Sequence, residues 1–459
     1  MRFTIGCFLL GLLTASTIVG QQNQFQGSVP TGVPSSTPLA LTLHEAIDRG
    51  LKTNLGLLIS DSANEIARGE RLRVLSALMP QLNSRAGETV QQLNLETVGF
   101  NFHFPGVSIP TIVGPFHYTD VRAYASWAAF DYSARKNYRA SQESKRAAQL
   151  SVLDARDLVV QATANGYLQI IADTSRVEAI RSQVETSQAL YDRAVDQQNA
   201  GTAAGIDVLR SQVELKQQQQ RLLAQGNQFE KDKLALGRVI GMPGGQDFNI
   251  SETAPFAPLA SMTQDQALQT AIRQRPDFQS YQARVRAAEE AVKAARGERY
   301  PTAEVTADYG DVGRTPASSH GTFSFVASAK ITVFDGGRIA GDVIQARSTL
   351  KQRQDELADL GGEIEYQIRS AFLDIRTAAD QVAVARDNLD LANQTLVQAR
   401  DRFSAGVTDN IEVVQAQESV ATANDTLISA LFAHNIAKVA LARALGGAEQ
   451  GIRQFVEVK

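Results

Sequence analysis

Slid against itself, the chain matches twice, in the same order. "EAIDRGLKTN" from Glu45 resembles "QALQTAIRQR" from Gln266, and Pro80 after "SALM" matches Pro301 after "GERY", both at an offset of 221 residues. "AAFDYSARKNYRAS" sets Phe130 and Asp131 where "ITVFDGGRIAGD" sets Phe334 and Asp335, an offset of 204. "AGTAAGIDVLRSQVEL" and "AGVTDNIEVVQAQESV" then align Gly201 with Gly406, Asp207 with Glu412 and Gln212 with Gln417 at an offset of 205, and Gly241 and Gly446 close the two copies in register. Such self-similarity means one supersecondary unit built twice, so an element read in one copy is expected in the other. The fall in offset places a longer loop in the first copy.

The order divides the chain. Residues 1–20 read as a signal peptide, with Arg2 before the apolar run Phe8 to Leu13 and cleavage near Ala15 or Gly20. Residues 21–40 are an extended leader, 41–241 the first repeat, 242–261 a Pro- and Gly-rich linker, 262–446 the second repeat and 447–459 a tail. The only cysteine, Cys7, lies in the signal run, so the mature chain is expected to hold no disulfide or thiolate ligand. A formal charge of −4 gives no electrostatic surplus for nucleic acid.

Each repeat opens with a helix ending at a proline. It closes with a helical hairpin, expected over 133–240 with its tip near 201–206 and over 338–445 with its tip near 406–411. From Ser133 to Ala200 there is no proline and only Gly166 among glycines, a span of about 100 Å as one helix. Gly361 and Gly362 predict a kink or break in the second copy. Ile375, Val382, Leu389 and Leu396 fall seven apart, with Ala378, Ala385, Ala392 and Ala399 three residues after each. Ile170, Val177, Val184 and Tyr191, with Asp173, Ile180, Ser187 and Ala194, repeat the pattern in the first copy. This is a coiled-coil seam with close backbones.

Between opening helix and hairpin the period changes to two. Strands are expected at about 82–96, 120–131, 302–310 and 321–334. Val121, Ala123, Ala125, Trp127 and Ala129 share one face, opposite Arg122, Tyr124 and Ser126. Phe323, Phe325, Ala327, Ala329, Ile331 and Val333 do the same opposite Ser324, Ser328, Lys330 and Thr332. A soluble half-buried sheet would alternate in this way, and so would transmembrane strands of about 9–11 residues. No stretch after the signal reaches about 18 uninterrupted apolar residues, so any membrane entry is by strands. Four strands cannot close a barrel alone, and an open edge cannot face lipid, so several chains would have to share them.

The duplicated order of helix, strand pair, long helix, glycine turn and helix, with the tip phrases "AGTAAGIDVL" and "AGVTDNIEVV", resembles the TolC family of outer-membrane factors. The resemblance covers nearly all of the mature chain. It implies a mainly α fold with membrane β: a homotrimer sharing a 12-stranded β-barrel in outer-membrane lipid, continued by a long α-helical barrel in the periplasm. It also implies a passive conduit for efflux or type I secretion, joined by a periplasmic adapter to an inner-membrane transporter. Loops Thr97 to Thr119 and Gly310 to Gly321 would face outward.

By motif position, Asp207 and Glu412 would line a periplasmic gate, with Gln415 where a second acid can stand. Phe403 replaces a tethering tyrosine, and Thr408 a basic residue, so the closed state is expected to be held differently. Gly201, Thr202, Gly205, Gly406 and Val407 form the turns that would meet the adapter. Acids in the first turn of a helix also offset its macrodipole, which is a sufficient reason for Asp207 and Glu412 to be acidic.

There is no phosphate loop, zinc motif or nucleophile elbow, so neither enzyme nor cofactor is expected. The competing reading is a periplasmic coiled-coil adapter or scaffold without a membrane barrel, which would need the hairpins but not the strands.

Overall fold

A computed structural model describes residues 25–99, 106, 110–202, 204–250, 252, 256–259, 262–405, 407, 408 and 410–455. The expected signal peptide lies outside the described residues, as do parts of the linker and tail. The described chain forms two compact units: one holds residues up to Asn64, Ala148–Ser280 and the chain from Ala358 on; the other holds Glu65–Ala147 and Tyr281–Leu357.

The first unit shows the duplication in atomic detail. Helix α1 (Leu43–Thr53) and helix α5 (Gln264–Gln274) both begin in a capping box. Thr42 accepts from the amide of Glu45 and Thr263 from that of Gln266, and each Glu or Gln side chain returns to the cap amide. The opening helix of each repeat, read from sequence as one element, is two. It breaks at Asn54 before α2 (Leu55–Ser76) and at Arg275 before α6 (Pro276–Gly297).

Pro276 enforces the second break, having no amide hydrogen and disfavouring helical backbone at Arg275. Asn54 does the same job with its side chain: Oδ1 accepts from the amide of Gly56 at 3.0 Å while Nδ2 donates to the carbonyls of Phe25 and Val239. Arg275 donates to the equivalent carbonyl, that of Ala444. Gly241 and Gly446, at φ 67° and 82°, turn the chain there, and a Cβ on either would strike Thr53 or Arg275.

The hairpins are α3 (Tyr132–Asn199) with α4 (Gly205–Val239), and α7 (Arg338–Ser404) with α8 (Asn410–Leu445). Helix α7 passes through Gly361 and Gly362 without the break the sequence suggested. The two glycines cost about 1 kcal/mol each, and the buried Ile364 and Ile368 that follow outweigh them. On the seam, Ile170, Ala194, Ile375, Ala378, Val382, Ala385, Ala392 and Ala399 are buried.

Helix α8 is apolar and long enough, by composition, to cross a membrane, but 56% of its most apolar window is buried inside the protein, as befits a core helix. The expected tail contains an amphipathic helix, α9 (Ala448–Phe455), whose Ala448 and Ile452 are fully buried. Its eight residues include Gly451, and the first repeat has no counterpart to reveal it.

A buried ion cluster ties this unit together. Arg275, 2% exposed, grips Asp277 through Nε and Nη2 at 3.0 and 2.6 Å and donates to Gln367. Arg443 pairs with Asp154 and approaches Asp277, and Asp157 accepts from the first amide of α9. Burial pushes the Asp154 and Asp157 carboxyls up, against the nearby guanidiniums. Burial also acts on Asp277, but the Arg275 hydrogen bonds and the two guanidiniums outweigh it and hold that carboxyl low. Elsewhere, His434 is buried against the edge of Phe256, with neither ring nitrogen hydrogen-bonded. Burial, then the charge of Lys438, lowers its pKa to about 4.

The second unit is built on one antiparallel sheet of β2 (Gln81–Asn94), β3 (Ile112–Phe130), β5 (Thr302–Gly313) and β6 (His320–Lys330), in the order β2-β3-β5-β6. Its register sorts the faces. Leu82, Ala125, Ala307 and Phe325 run across one face, beside Ala123, Tyr309 and Phe323. Asn83, Tyr124, Asp308 and Ser324 run across the other, beside Arg85, Arg122 and Thr322. On that polar face Arg122 pairs with Asp308 and donates to Thr322 at 2.6 Å, crossing Gly310, where a Cβ would collide with it.

Several strand boundaries differ from expectation. Strand β3 begins eight residues before 120, because Gly114, Pro115 and a bulge opposite Gln91 mask the alternation there. The loops therefore shrink to 95–111 and 314–319. Strand β6 stops at Lys330, paired with Thr302, beyond which Pro301 has no amide hydrogen to donate. A bulge after Ala128 gives Phe130, rather than Ala129, the place opposite Ala303 on the apolar face.

Strands β1 (Leu39–Ala40) and β4 (Phe248–Asn249) form a separate two-residue parallel pair in the first unit.

Replacing Arg275 by Ala is expected to destabilise the fold by about 3–5 kcal/mol, because it leaves Asp277 buried without its main partner. The unfolding midpoint of the purified protein measures this. The His434 shift carries a pH signature: as pH falls from 6.5 toward 4, the unfolded chain takes a proton that the folded chain refuses, so stability is lost through that window. In His434→Phe the loss attributable to this site should vanish, seen as a shallower fall of the thermal midpoint between about pH 7 and 5.

Candidate gate at the hairpin turns

The two turns end their long helices in related ways. At the end of α3 the amide of Thr202 donates to the carbonyl of Gln197, and that of Gly201 to Gln198, both at 2.9 Å. With Gly201 at φ 73° this is a Schellman stop, which requires a left-handed residue. The Thr202 hydroxyl also caps Gln197. At the end of α7 the amide of Val407 reaches the carbonyl of Arg402 over the same spacing, at 3.0 Å. Gly406 lies outside the described residues. Gly205 opens α4 against the Gln198 side chain, and Val407 is 70% exposed.

Asp207 and Glu412 each stand in the first turn of the returning helix. Each is also paired, which sequence reading did not anticipate. Asp207 meets Arg210 at 3.5 Å and Glu412 meets Arg402 at 3.3 Å. The carboxylates therefore sit between a helix N-terminus and a guanidinium, two stabilising fields. Arg210 follows Asp207 by three, a helix-spaced opposite charge present in the sequence, whereas Arg402 precedes Glu412 by ten and reaches it across the turn, where helix spacing gives no signal. Gln415 is exposed and Thr408 half-buried.

Phe403 turns inward. With Leu190 and Leu396 it packs against the buried cluster of Ala399, Val413 and Ala416, and the Arg193 guanidinium lies 5.9 Å from its ring centre. It thus joins the two hairpins by apolar contact and cation–π attraction. Behind it lies a polar layer: Ser187, Ser211, Glu214, Gln218 and Gln417 are all buried, and Gln218 donates to Glu214 at 2.7 Å.

Farther from the turns, Arg221 makes a two-pronged contact with Glu418 at 2.9 Å on each prong. Arg176 reaches Asp425 at 3.0 Å and Ser429 at 2.9 Å. No group of three or more His, Cys, Asp or Glu that could hold a metal ion occurs among the described residues.

Comparison with known proteins agrees with this architecture. The profile of the family described as "Outer membrane efflux protein" matches residues 71–242 and 267–447, one segment in each repeat. The chain is 24% identical to the probable efflux pump outer membrane protein SepC of Pseudomonas putida over 81% of this chain and 76% of the relative. It is 23% identical to the pyoverdine export outer membrane protein OpmQ of Pseudomonas aeruginosa, over 82% and 79%. The fold matches that of the outer membrane protein VceC of Vibrio cholerae at a TM-score of 0.75 and 17% identity, covering 88% of this chain and 96% of that one.

Fold and matches define an outer-membrane efflux channel type of protein. The chain belongs to the outer membrane efflux protein family, and its place is the outer membrane.

Proposed function

We propose that three copies of this chain form a passive conduit from the periplasm across the outer membrane. The observation that carries this reading is the sheet. Among the described residues, β2 pairs only with β3 and β6 only with β5, so both edges present unpaired backbone groups. One face is apolar and the other carries Arg122, Asp308 and Tyr124. In lipid, such a sheet is tolerable only if β6 of one copy pairs with β2 of the next until a barrel closes. Three copies give the twelve strands that the resemblance implies.

The helices support several copies as well. Ile206, Leu209, Val213, Leu223 and Leu234 of α4 are more than half exposed in a single chain, as are Tyr366, Leu373, Val384 and Leu391 of α7. Rows of large apolar side chains at near-heptad spacing are interface surfaces. The hairpins extend into the periplasm in this reading.

Asp207 and Glu412 line the mouth, with Phe403, Thr408 and Gln415 around them. Gly201, Thr202, Gly205, Gly406 and Val407 meet an adapter that links the conduit to an inner-membrane transporter. A scaffold without a barrel has no use for a two-faced sheet with strands of 11 to 19 residues.

Purified mature protein reconstituted in planar bilayers should give discrete, cation-preferring channels. Asp207→Ala and Glu412→Ala together should weaken the cation preference, because they remove negative charge from the narrowest section. An electrically silent protein that stays soluble without detergent would contradict the conduit; channels with unchanged selectivity would contradict the acidic gate.

A further inference from the structure

Duplication fixes more than the order of the strands. Gln81 of β2 pairs with Ser126 of β3; moved by the repeat offsets of 221 and 204, these become Thr302 of β5 and Lys330 of β6, and the structure pairs those two residues as well. The correspondence holds from Gln81 to Gln91, so the two strand pairs share one register. In the barrel proposed above, on which this inference rests, β6 of one copy meets β2 of the next. By the repeat, that seam is the counterpart of β3 against β5, which lies within the chain.

The same offsets carry the β3–β5 register across. Ala125 opposite Ala307 becomes Ala329 opposite Ala86 of the next copy, Ser126 opposite Thr306 becomes Lys330 opposite Arg85, and Phe130 opposite Ala303 becomes Phe334 opposite Leu82. Two features of the single chain agree. Ala329 and Ala86 both belong to the apolar face, whereas a slip of one residue would set that face against the polar one. Phe334 and Leu82, 89% and 77% exposed in one chain, become neighbours.

This register sets two cations face to face. Lys330 and Arg85 of the next copy stand directly opposite on the polar face, where like charges repel. Neither β6 nor β2 places an acid on that face. Of the acids there on the flanking strands, Asp120 and Asp308 are both engaged by Arg122, which itself stands opposite Arg85. Glu304 remains, diagonal to Lys330. Among the described residues, neither Lys330 nor Arg85 is in an ion pair within its own chain.

We propose that Lys330 and Arg85 of the next copy form a binding site for a doubly charged oxyanion of phosphate or sulfate type, on the lumen side of each seam and incomplete in the single chain. Lysine supplies a point charge, and arginine a planar fork that fits two oxygens of such a group. A bound anion turns the repulsion across the seam into a bridge. Anion at a concentration equal to its dissociation constant then doubles the assembly constant at each site, about 8-fold over three sites.

Two measurements on the full mature protein in detergent test this. The first is oxidative cross-linking in a chain whose one native cysteine, Cys7, lies in the expected signal peptide. Ala329→Cys with Ala86→Cys should link copies, and Ala329→Cys with Ser84→Cys or Glu88→Cys should link them several-fold less. The second is the temperature at which the assembly dissociates, in sodium phosphate or sulfate against sodium chloride at equal ionic strength. Such salts stabilise folded proteins generally by exclusion from the surface, so the site is read as the part of the rise that Arg85→Gln and Lys330→Gln remove. In chloride alone those variants should dissociate no lower than wild type, since each removes a repulsion. Linking at another pairing overturns the register and the site with it. A rise as large in both variants as in wild type, or variants that dissociate lower in chloride, overturns the site alone. A monomeric wild-type protein overturns the barrel reading itself.

Discussion

Backbone hydrogen bonding in an apolar medium governs the rest of this structure. A sheet of four strands with an apolar face and a polar face has no stable single-chain existence in a membrane, because the donors and acceptors along β2 and β6 would face lipid unpaired. The constraint reaches into the sequence. It requires strands long enough to cross, side chains that alternate in phase across all four, and a Gly310 that lets Arg122 lie over the sheet and find its acid. In the proposed assembly the helices also need surfaces for neighbouring copies, and the exposed apolar rows of α4 and α7 suit that role.

Duplication supplies the means. The same joint is built twice where the opening helix of each repeat breaks and binds the carbonyl at the end of the returning helix, once with Asn54 and once with Arg275. The geometry is shared and the chemistry is not. A neutral amide serves in the first repeat. In the second a buried arginine brings Asp277, Gln367 and, through Arg443, Asp154 into one cluster. The second joint can therefore tie in α9, which the first repeat lacks. Buried ion pairs of this kind contribute less to net stability than to fixing one arrangement, since desolvation offsets much of their attraction.

Much of this was legible in the residues. The seven-residue spacing of Ile375, Val382 and their alanines, and the alternation of Phe323, Phe325 and Ala327, follow from periodicities that backbone geometry enforces. What escaped reading had local causes. Pro115 and a bulge hid the first eight residues of β3; Asn54 broke a helix with a side chain that elsewhere is unremarkable on a helix; α9 is too short to declare a period. At the turns, motif position named Asp207, Glu412 and Phe403. Arg210, three residues after Asp207, follows helix spacing, but Arg402 and Arg193 reach Glu412 and Phe403 from other helices, which spacing alone does not specify for long side chains.

The most direct test of the central claim is the mass of the folded protein in detergent, by native mass spectrometry or by light scattering corrected for bound detergent. The account predicts three 49.6-kDa chains, less the signal peptide, in an assembly that dissociates only on denaturation. A stable folded monomer, its sheet edges satisfied without a second copy, would contradict it.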